Sequence, residues 1–295
     1  MENSRGIKIL FVALVIVWGL NWTITKLILQ EVPPLWTIAL RSGIAAIAIL
    51  GAQLATRQFI VPHRQDLPLV AVVSIFHMVL FAAFMAVGMQ YLTVGRSVIL
   101  AFTPPIWVTP AAWLLLKEPL PKRRLIGVLL GICGILVLFN PLALDWSDAD
   151  QLRGNALLLL SAMCWSVSIL YIRAHKWRAT PFQLAFWQNL LAVVLLTAAA
   201  LAVEGPLHLT LSWRLGGLLF YSGVINTAFG FWASTVVNKN LPATVTSLGL
   251  LATPLVGIAS SMAVLGERID LPLAVAACLI LAGIGLGSGL GARKR

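Results

Sequence analysis

Apolar residues occupy this chain in long blocks, separated by short clusters of charge, proline and glycine. The blocks fall near residues 7–29, 35–56, 68–91, 96–116, 123–140, 154–174, 181–203, 214–237, 243–265 and 271–290. Within each, the apolar character runs around every face. A membrane strand would need alternation over about 10 residues, so these runs read as helices. Each run of roughly 18 to 24 residues is long enough to cross about 30 Å of hydrocarbon at about 1.5 Å per residue. The breaks carry Pro33-Pro34, Pro62, Pro119 and Pro121, Pro141, Pro181, Gly205-Pro206, Pro242 and Pro272, residues that stop helices and turn chains. The pattern predicts an all-α integral membrane protein with ten transmembrane helices. The first run outlasts a signal-peptide core and no small-residue cleavage site follows it, so it is predicted to be the first span.

Composition narrows the class further. Of 295 residues, 60% are hydrophobic and 11% charged, against about 45–50% and about 25% in a soluble domain. Lys and Arg number 21 against 10 acidic residues. In a soluble protein that excess would raise nucleic acid as a partner; here topology explains it. With the N-terminus inside, the cytoplasmic side collects Arg5, Lys8, Arg57, Arg64, Lys117, Lys122, Arg123, Arg124, Arg173, Lys176, Arg178, Lys239, Arg293, Lys294 and Arg295. The far side receives Arg96, Arg153, Arg214 and Arg268, and Lys26 and Arg41 fall in or beside spans. The positive-inside rule therefore places both termini in the cytoplasm, in a cytoplasmic (inner) membrane. The acidic loop Asp145, Asp148, Asp150 does not weaken this, because the rule counts cations.

The second half echoes the first. A slide of 147 residues aligns Trp18 with Trp165, Asn21 with Ser168, Pro34 with Pro181 and Arg41 with Gln188; a slide of 149 aligns His77 with Asn226, Pro105 with Pro254, Glu118 with Glu267 and Gly134 with Gly283. Two units of five spans result, 1–143 and 144–295. Five is odd, so the halves enter the membrane in opposite senses. Such an inverted 5+5 repeat around a central cavity is a signature of secondary transporters.

These residues carry a resemblance. Trp18-Gly19-x-Asn21-Trp22-x-x-x-Lys26, Arg41, Thr103-Pro104-Pro105 leading to Lys117-Glu118-Pro119, and Ala252-Thr253-Pro254 leading to Gly266-Glu267-Arg268 resemble the paired EamA domains of the drug/metabolite transporter superfamily. Within it, the chain is most similar to bacterial exporters of aromatic amino acids. The resemblance spans nearly the whole chain and implies a cavity lined mainly by helices 1, 3, 4, 6, 8 and 9. Where the halves differ, as at Lys117 in place of a Gly before the Glu, the difference falls in a loop.

Several side chains on those helices suit a flat, partly apolar solute. Trp18, Asn21, Trp22 and Thr25 share a helical face by spacing, as do His77, Phe81 and Phe84, and Asn226, Phe229 and Ala233. Trp107, Trp165 and Ser168 face them from other helices. Aromatic walls over a few hydrogen-bonding groups bind by stacking and cation–π contact. Each aromatic also fits the interfacial belt, to which Trp36, Trp146, Trp177 and Trp213 at span edges belong. His77 and Asn226, and Asn21 and Ser168, are polar pairs at matching depths, able to touch substrate or to bond helix to helix. Arg41 lies about 10 Å beyond Pro34 at about 1.5 Å per residue; a substrate carboxylate or backbone carbonyls could both satisfy it. Pro105 and Pro254 free carbonyls and bend their helices, which suits gating. The Gly127, Gly131, Gly134 and Gly283, Gly285, Gly287 series suits close helix packing.

Chemistry of other kinds has no foothold in the sequence. Cys133, Cys164 and Cys278 and the histidines His63, His77, His175 and His208 show no metal or disulfide spacing, and no cofactor is expected. Nucleophile-elbow, zincin and Walker motifs are missing, which argues against an enzyme. All ten acidic residues fall at span edges or in loops. Proton-driven exporters carry intramembrane carboxylates, so the sequence favours a facilitator of aromatic amino acids and related metabolites. Its alternatives are a proton-coupled exporter of another substrate class and a lipid-translocating or structural membrane protein. One chain holds both halves, so it needs no second copy to form the pathway.

Overall fold

The computed structural model describes residues 2–140, 144–241 and 243–287. Pro141, Pro242, the expected boundary at residue 143, the end of the last span and the C-terminal cations lie outside them. Every regular element among the described residues is a helix, and none is a strand. We label the rods α1 (Glu2–Ile28), α2 (Pro34–Ala55), α3 (Leu67–Tyr91), α4 (Val94–Leu115), α5 (Lys122–Leu138), α6 (Ala149–Ala174), α7 (Pro181–Val203), α8 (213–240), α9 (243–265) and α10 (Leu271–Gly287). Six of them, α1 to α4, α6 and α7, are long and apolar enough to cross a membrane by length and composition, and the rear part of α9 and α10 are shorter apolar helices.

Local chemistry sets the boundaries. Pro34 and Pro181 occupy first helical positions, where the missing N–H has no partner to lose. Thr180 and Gln183 form a reciprocal capping box at the start of α7, and Asp148 caps α6 by accepting from the N–H groups of Asp150 (3.0 Å) and Gln151 (3.1 Å). Two rods are interrupted. α4 breaks at Phe102-Thr103 and resumes at Pro104; α9 breaks at Leu251 and resumes at Ala252. The matched prolines thus stand in the first turn after a break, where they start a new helix more than they bend an old one. α3 and α8 each contain a nine-residue π segment, Val73–Phe81 and Tyr221–Phe229, bonded i to i+5. The two are equal in length and 148 residues apart.

Packing partners come in matching pairs: α2 lies along α7 and α5 along α10, while α1 rests on α9 and α8, and α6 on α4 and α3. Glycine permits the closest of these. A Cβ on Gly127 would stand 2.4 Å from the Gly283 carbonyl oxygen, and one on Gly283 2.4 Å from that of Gly127, so the backbones of α5 and α10 touch. Left-handed backbone occurs at Gly266 (φ 67°) and at Lys117 (φ 54°), each one residue before a glutamate. The loop where the halves differ in residue type is alike in backbone.

Side-chain contacts tie the rods at two ends. At one, Glu204 accepts from the N–H groups of Leu35 (2.8 Å) and Trp36 (3.1 Å), and Glu267 from those of Val94 (2.8 Å) and Gly95 (3.3 Å), the carboxylate placement that a helix N-terminus favours. At the other, the buried Asp66 accepts from the N–H groups of Arg178 (3.2 Å) and Ala179 (3.0 Å) and meets His175 Nε2 at 3.2 Å. Burial pushes the Asp66 carboxyl up, but these bonds outweigh it and hold the group below the usual carboxylate range.

Candidate functional site: a central aromatic cavity and its vestibule

Between the rods lies a cavity of about 210 Å³. α1 contributes Trp18, Asn21, Trp22 and Thr25, all on one face as the spacing predicts. Trp18 fits because Gly230 of α8 has no side chain; a Cβ there would reach the indole Nε1 at 2.5 Å. α3 contributes His77 and Phe81, and α6 contributes Trp165. Their rings form one cluster. His77 stacks on Trp165 at 5.3 Å and 19°, Phe81 lies 5.1 Å from Trp165, and His77 and Phe81 meet edge to face at 5.4 Å, geometries that aromatic quadrupoles favour. Asn226 of α8 and Arg41 of α2 also stand on the wall.

Other expected residues stand elsewhere. Trp107 donates its indole N–H to Thr103 Oγ1 at 3.2 Å and lies off the cavity wall. Ser168 is buried in α6, and Phe229 packs against the apolar cluster that holds Phe11, Leu14 and Val15 of α1 and meets the Trp232 ring at 5.7 Å, off the cavity wall. Pro254 is buried in α9, and Pro105 faces a second space described below. Sequence spacing also missed Ser42, Asn189, Thr227, Phe231, Thr253 and Met85, all of which line the cavity. The π segments explain part of this. A turn bonded i to i+5 holds more residues than an α turn, so the face of Asn226 continues at Phe231, five residues on, and not at Phe229. On α3, likewise, the wall passes from Phe81 to Met85 and leaves Phe84 aside.

The polar atoms on the wall are unevenly satisfied. Asn21 donates from Nδ2 to Thr25 Oγ1 at 3.3 Å, while its Oδ1 and the Thr253 hydroxyl, both buried, have no hydrogen-bond partner. Asn189 Nδ2 donates to the Ala185 carbonyl at 2.8 Å, and the Thr227 hydroxyl to the Ser222 carbonyl at 2.8 Å. No carboxylate lines the cavity among the described residues.

A vestibule of about 450 Å³ adjoins the cavity and shares Phe102 and Trp165 with it. It runs past Pro105 to the rim at Glu118, Arg124 and Arg173. There both Glu118 carboxylate oxygens accept from Arg173, at 2.6 and 2.7 Å, with Arg124 3.6 Å away. At the opposite end Lys26 of α1 donates to the Met89 and Leu92 carbonyls, the latter at 2.8 Å, and joins α1 to the end of α3. The molecule is thus tied across the cavity at the Lys26 end and hollow toward the Glu118 end.

Apolar rods around an aromatic and polar cavity with a vestibule at one end describe a multi-pass membrane transporter of small molecules. Comparison with known proteins agrees. The EamA-like transporter family profile matches twice, over residues 6–140 and 152–288, and the chain belongs to that family. It is 22% identical over 284 residues to the uncharacterized transporter YoaV of Bacillus subtilis (strain 168), covering 96% of this chain and 97% of that one. It is 26% identical to proteins named probable amino-acid metabolite efflux pump from Salmonella typhimurium (strain LT2) and Escherichia coli (strain K12), each match covering 95% of this chain and 94% of the relative. A protein of known crystal structure shares the fold with a TM-score of 0.66 at 18% identity, covering 98% of this chain and 99% of that one. The relatives are named transporters or efflux pumps, and the family is one of transporters, not enzymes.

Proposed function

We propose that this protein exports aromatic amino acids and related small metabolites across the cytoplasmic membrane, as a facilitator working by alternating access. In this reading ten spans form two five-helix halves, 1–143 and 144–295, threaded oppositely with both termini inside. The double profile match, the matching π segments and the paired packing support the repeat. The cation distribution supports the orientation, which makes the vestibule face the cytoplasm.

The single observation that carries the substrate class is the cavity wall: stacked His77 and Trp165 with Phe81, Trp18 and Trp22 on one hand, and the buried, unpartnered oxygens of Asn21 and Thr253 on the other. A space of about 210 Å³ is below the roughly 300–1,000 Å³ of drug-sized sites and suits a solute of amino-acid size. Two relatives named as amino-acid metabolite efflux pumps add weight. Lack of a carboxylate on the wall supports a facilitator over proton coupling.

Proteoliposomes preloaded with labelled tryptophan, phenylalanine or threonine provide the test. Tryptophan and phenylalanine should leave faster than from empty vesicles, without an imposed pH gradient. A strict need for a gradient, abolished in His77→Gln, would replace the facilitator by a proton-coupled exporter. No acceleration for any amino acid would remove the substrate class.

A further inference from the structure

Lys26 of α1, Arg41 of α2 and Arg96 of α4 are cations within the rods, and two of these three are tethered to backbone carbonyls. Lys26 donates to the Met89 and Leu92 carbonyls. Arg96 donates from Nε to Asn155 Oδ1 at 2.8 Å and from its guanidinium to the Leu138 carbonyl. Arg41 is different. Among the described residues its guanidinium has no hydrogen-bond or carboxylate partner, and it opens onto the cavity, where it is the one charged side chain. Its repeat mate Gln188 is neutral, so the cavity has a single positive pole.

A guanidinium offers five donors in a planar fork that matches a carboxylate, and hydrocarbon penalises it when unmatched. Two buried acceptors belong to residues of the same wall. Asn21 is 9% exposed and Thr253 1% exposed, and the Oδ1 of the first and the hydroxyl of the second are unpartnered. An ammonium group donates three hydrogen bonds and accepts none. We propose that the cavity recognises its solute as a zwitterion, with Arg41 taking the carboxylate and Asn21 Oδ1 and Thr253 Oγ1 taking the ammonium, while the ring cluster holds the side chain. This deepens the proposed amino-acid reading and rests on it; it makes the α-amino acid head group, more than the ring, the element required for binding.

The experiment uses the full chain in detergent or nanodiscs, with labelled tryptophan displaced by indole-3-propionate (carboxylate only), tryptamine (ammonium only) and tryptophan amide. Tryptophan should bind about 10- to 100-fold tighter than any of the three, the range for losing one charge-assisted hydrogen-bonded group. Arg41→Gln should weaken tryptophan and indole-3-propionate by a similar factor and leave tryptamine unchanged. Arg41→Lys should recover part of the loss, and Asn21→Leu should weaken tryptamine and spare indole-3-propionate. Tryptamine binding as tightly as tryptophan to the unaltered protein, or an Arg41→Gln loss equal for all four compounds, overturns the proposal. The ligand series on the unaltered protein decides by itself if Arg41→Gln does not fold. Efflux of amino acids with no head-group discrimination removes this inference alone, whereas absence of both efflux and binding for any amino acid removes the proposed function with it.

Discussion

The contact between α5 and α10 permits a quantitative test of how this fold is held. A Cβ on Gly127 would stand 2.4 Å from the Gly283 carbonyl oxygen and 3.2 Å from the Gly287 nitrogen. Carbon and oxygen approach no closer than about 3.3 Å even in favourable Cα–H contacts, so Gly127→Ala demands about 0.9 Å of separation between two backbones. No side chain can rotate away to supply it. Overpacking of this kind costs about 1–3 kcal/mol, since a membrane interface depends on such close approach for its dispersion contacts. Against this stands up to about 1 kcal/mol gained by replacing glycine in a helix. Gly51→Ala isolates that gain, because nothing lies within 4 Å of a Cβ at Gly51 in α2. Thermal stability in detergent at one fixed heating rate should put Gly127→Ala below Gly51→Ala by about 2–12 °C, taking about 2–4 °C per kcal/mol. Gly127→Ala combined with Gly283→Ala should lose less than the sum of the two, as both strain one seam. Equal melting of Gly127→Ala and Gly51→Ala would refute the reasoning.

Other substitutions address other links. Gly266→Ala meets nothing within 4 Å, so its cost, about 1 kcal/mol, should come from the left-handed backbone alone; Lys117→Gly should change stability in the opposite sense, both read as shifts in melting temperature. Asp66 gives a pH dependence whose sign is fixed: its native carboxyl titrates below the ordinary value, so its contribution is whole above about pH 4 and is lost as pH falls through the native pKa. Asp66→Asn should therefore lower the melting temperature at pH 7 and flatten its decline in acid. Trp22→Ala and His77→Ala should reduce tryptophan efflux more than Trp213→Ala, whose ring is fully exposed; equal effects in vesicles would place the cavity elsewhere.

Much of this arrangement is readable from residue order alone, and the exceptions have definite causes. Helices and their ends follow from apolar runs and prolines, and the α1 face of Trp18, Asn21, Trp22 and Thr25 holds because α1 keeps α-helical pitch throughout. The faces of α3 and α8 drift, because no residue type announces a π segment and spacing arguments assume 3.6 residues per turn. Phe229 and Phe84 are lost to that drift, while Phe231 and Met85 are gained. Thr253 and Ser42 are short polar residues next to breaks or charges, common in any span, and only their neighbours in space mark them. Arg41 was visible by its depth; that it lacks a tether could not be read without knowing which carbonyls lie near.

Phe102 borders both hollows, and its ring meets Trp165 edge to face with centroids 6.1 Å apart. Its main chain belongs to the gap in α4, not to a rod. The ring pair that both compartments share therefore rests on one side on a stretch of backbone freed from full helical bonding, and on the other on an unbroken helix. Bulk added at position 102 would intrude on both compartments at once, from a segment between them that has no helix to hold it in place.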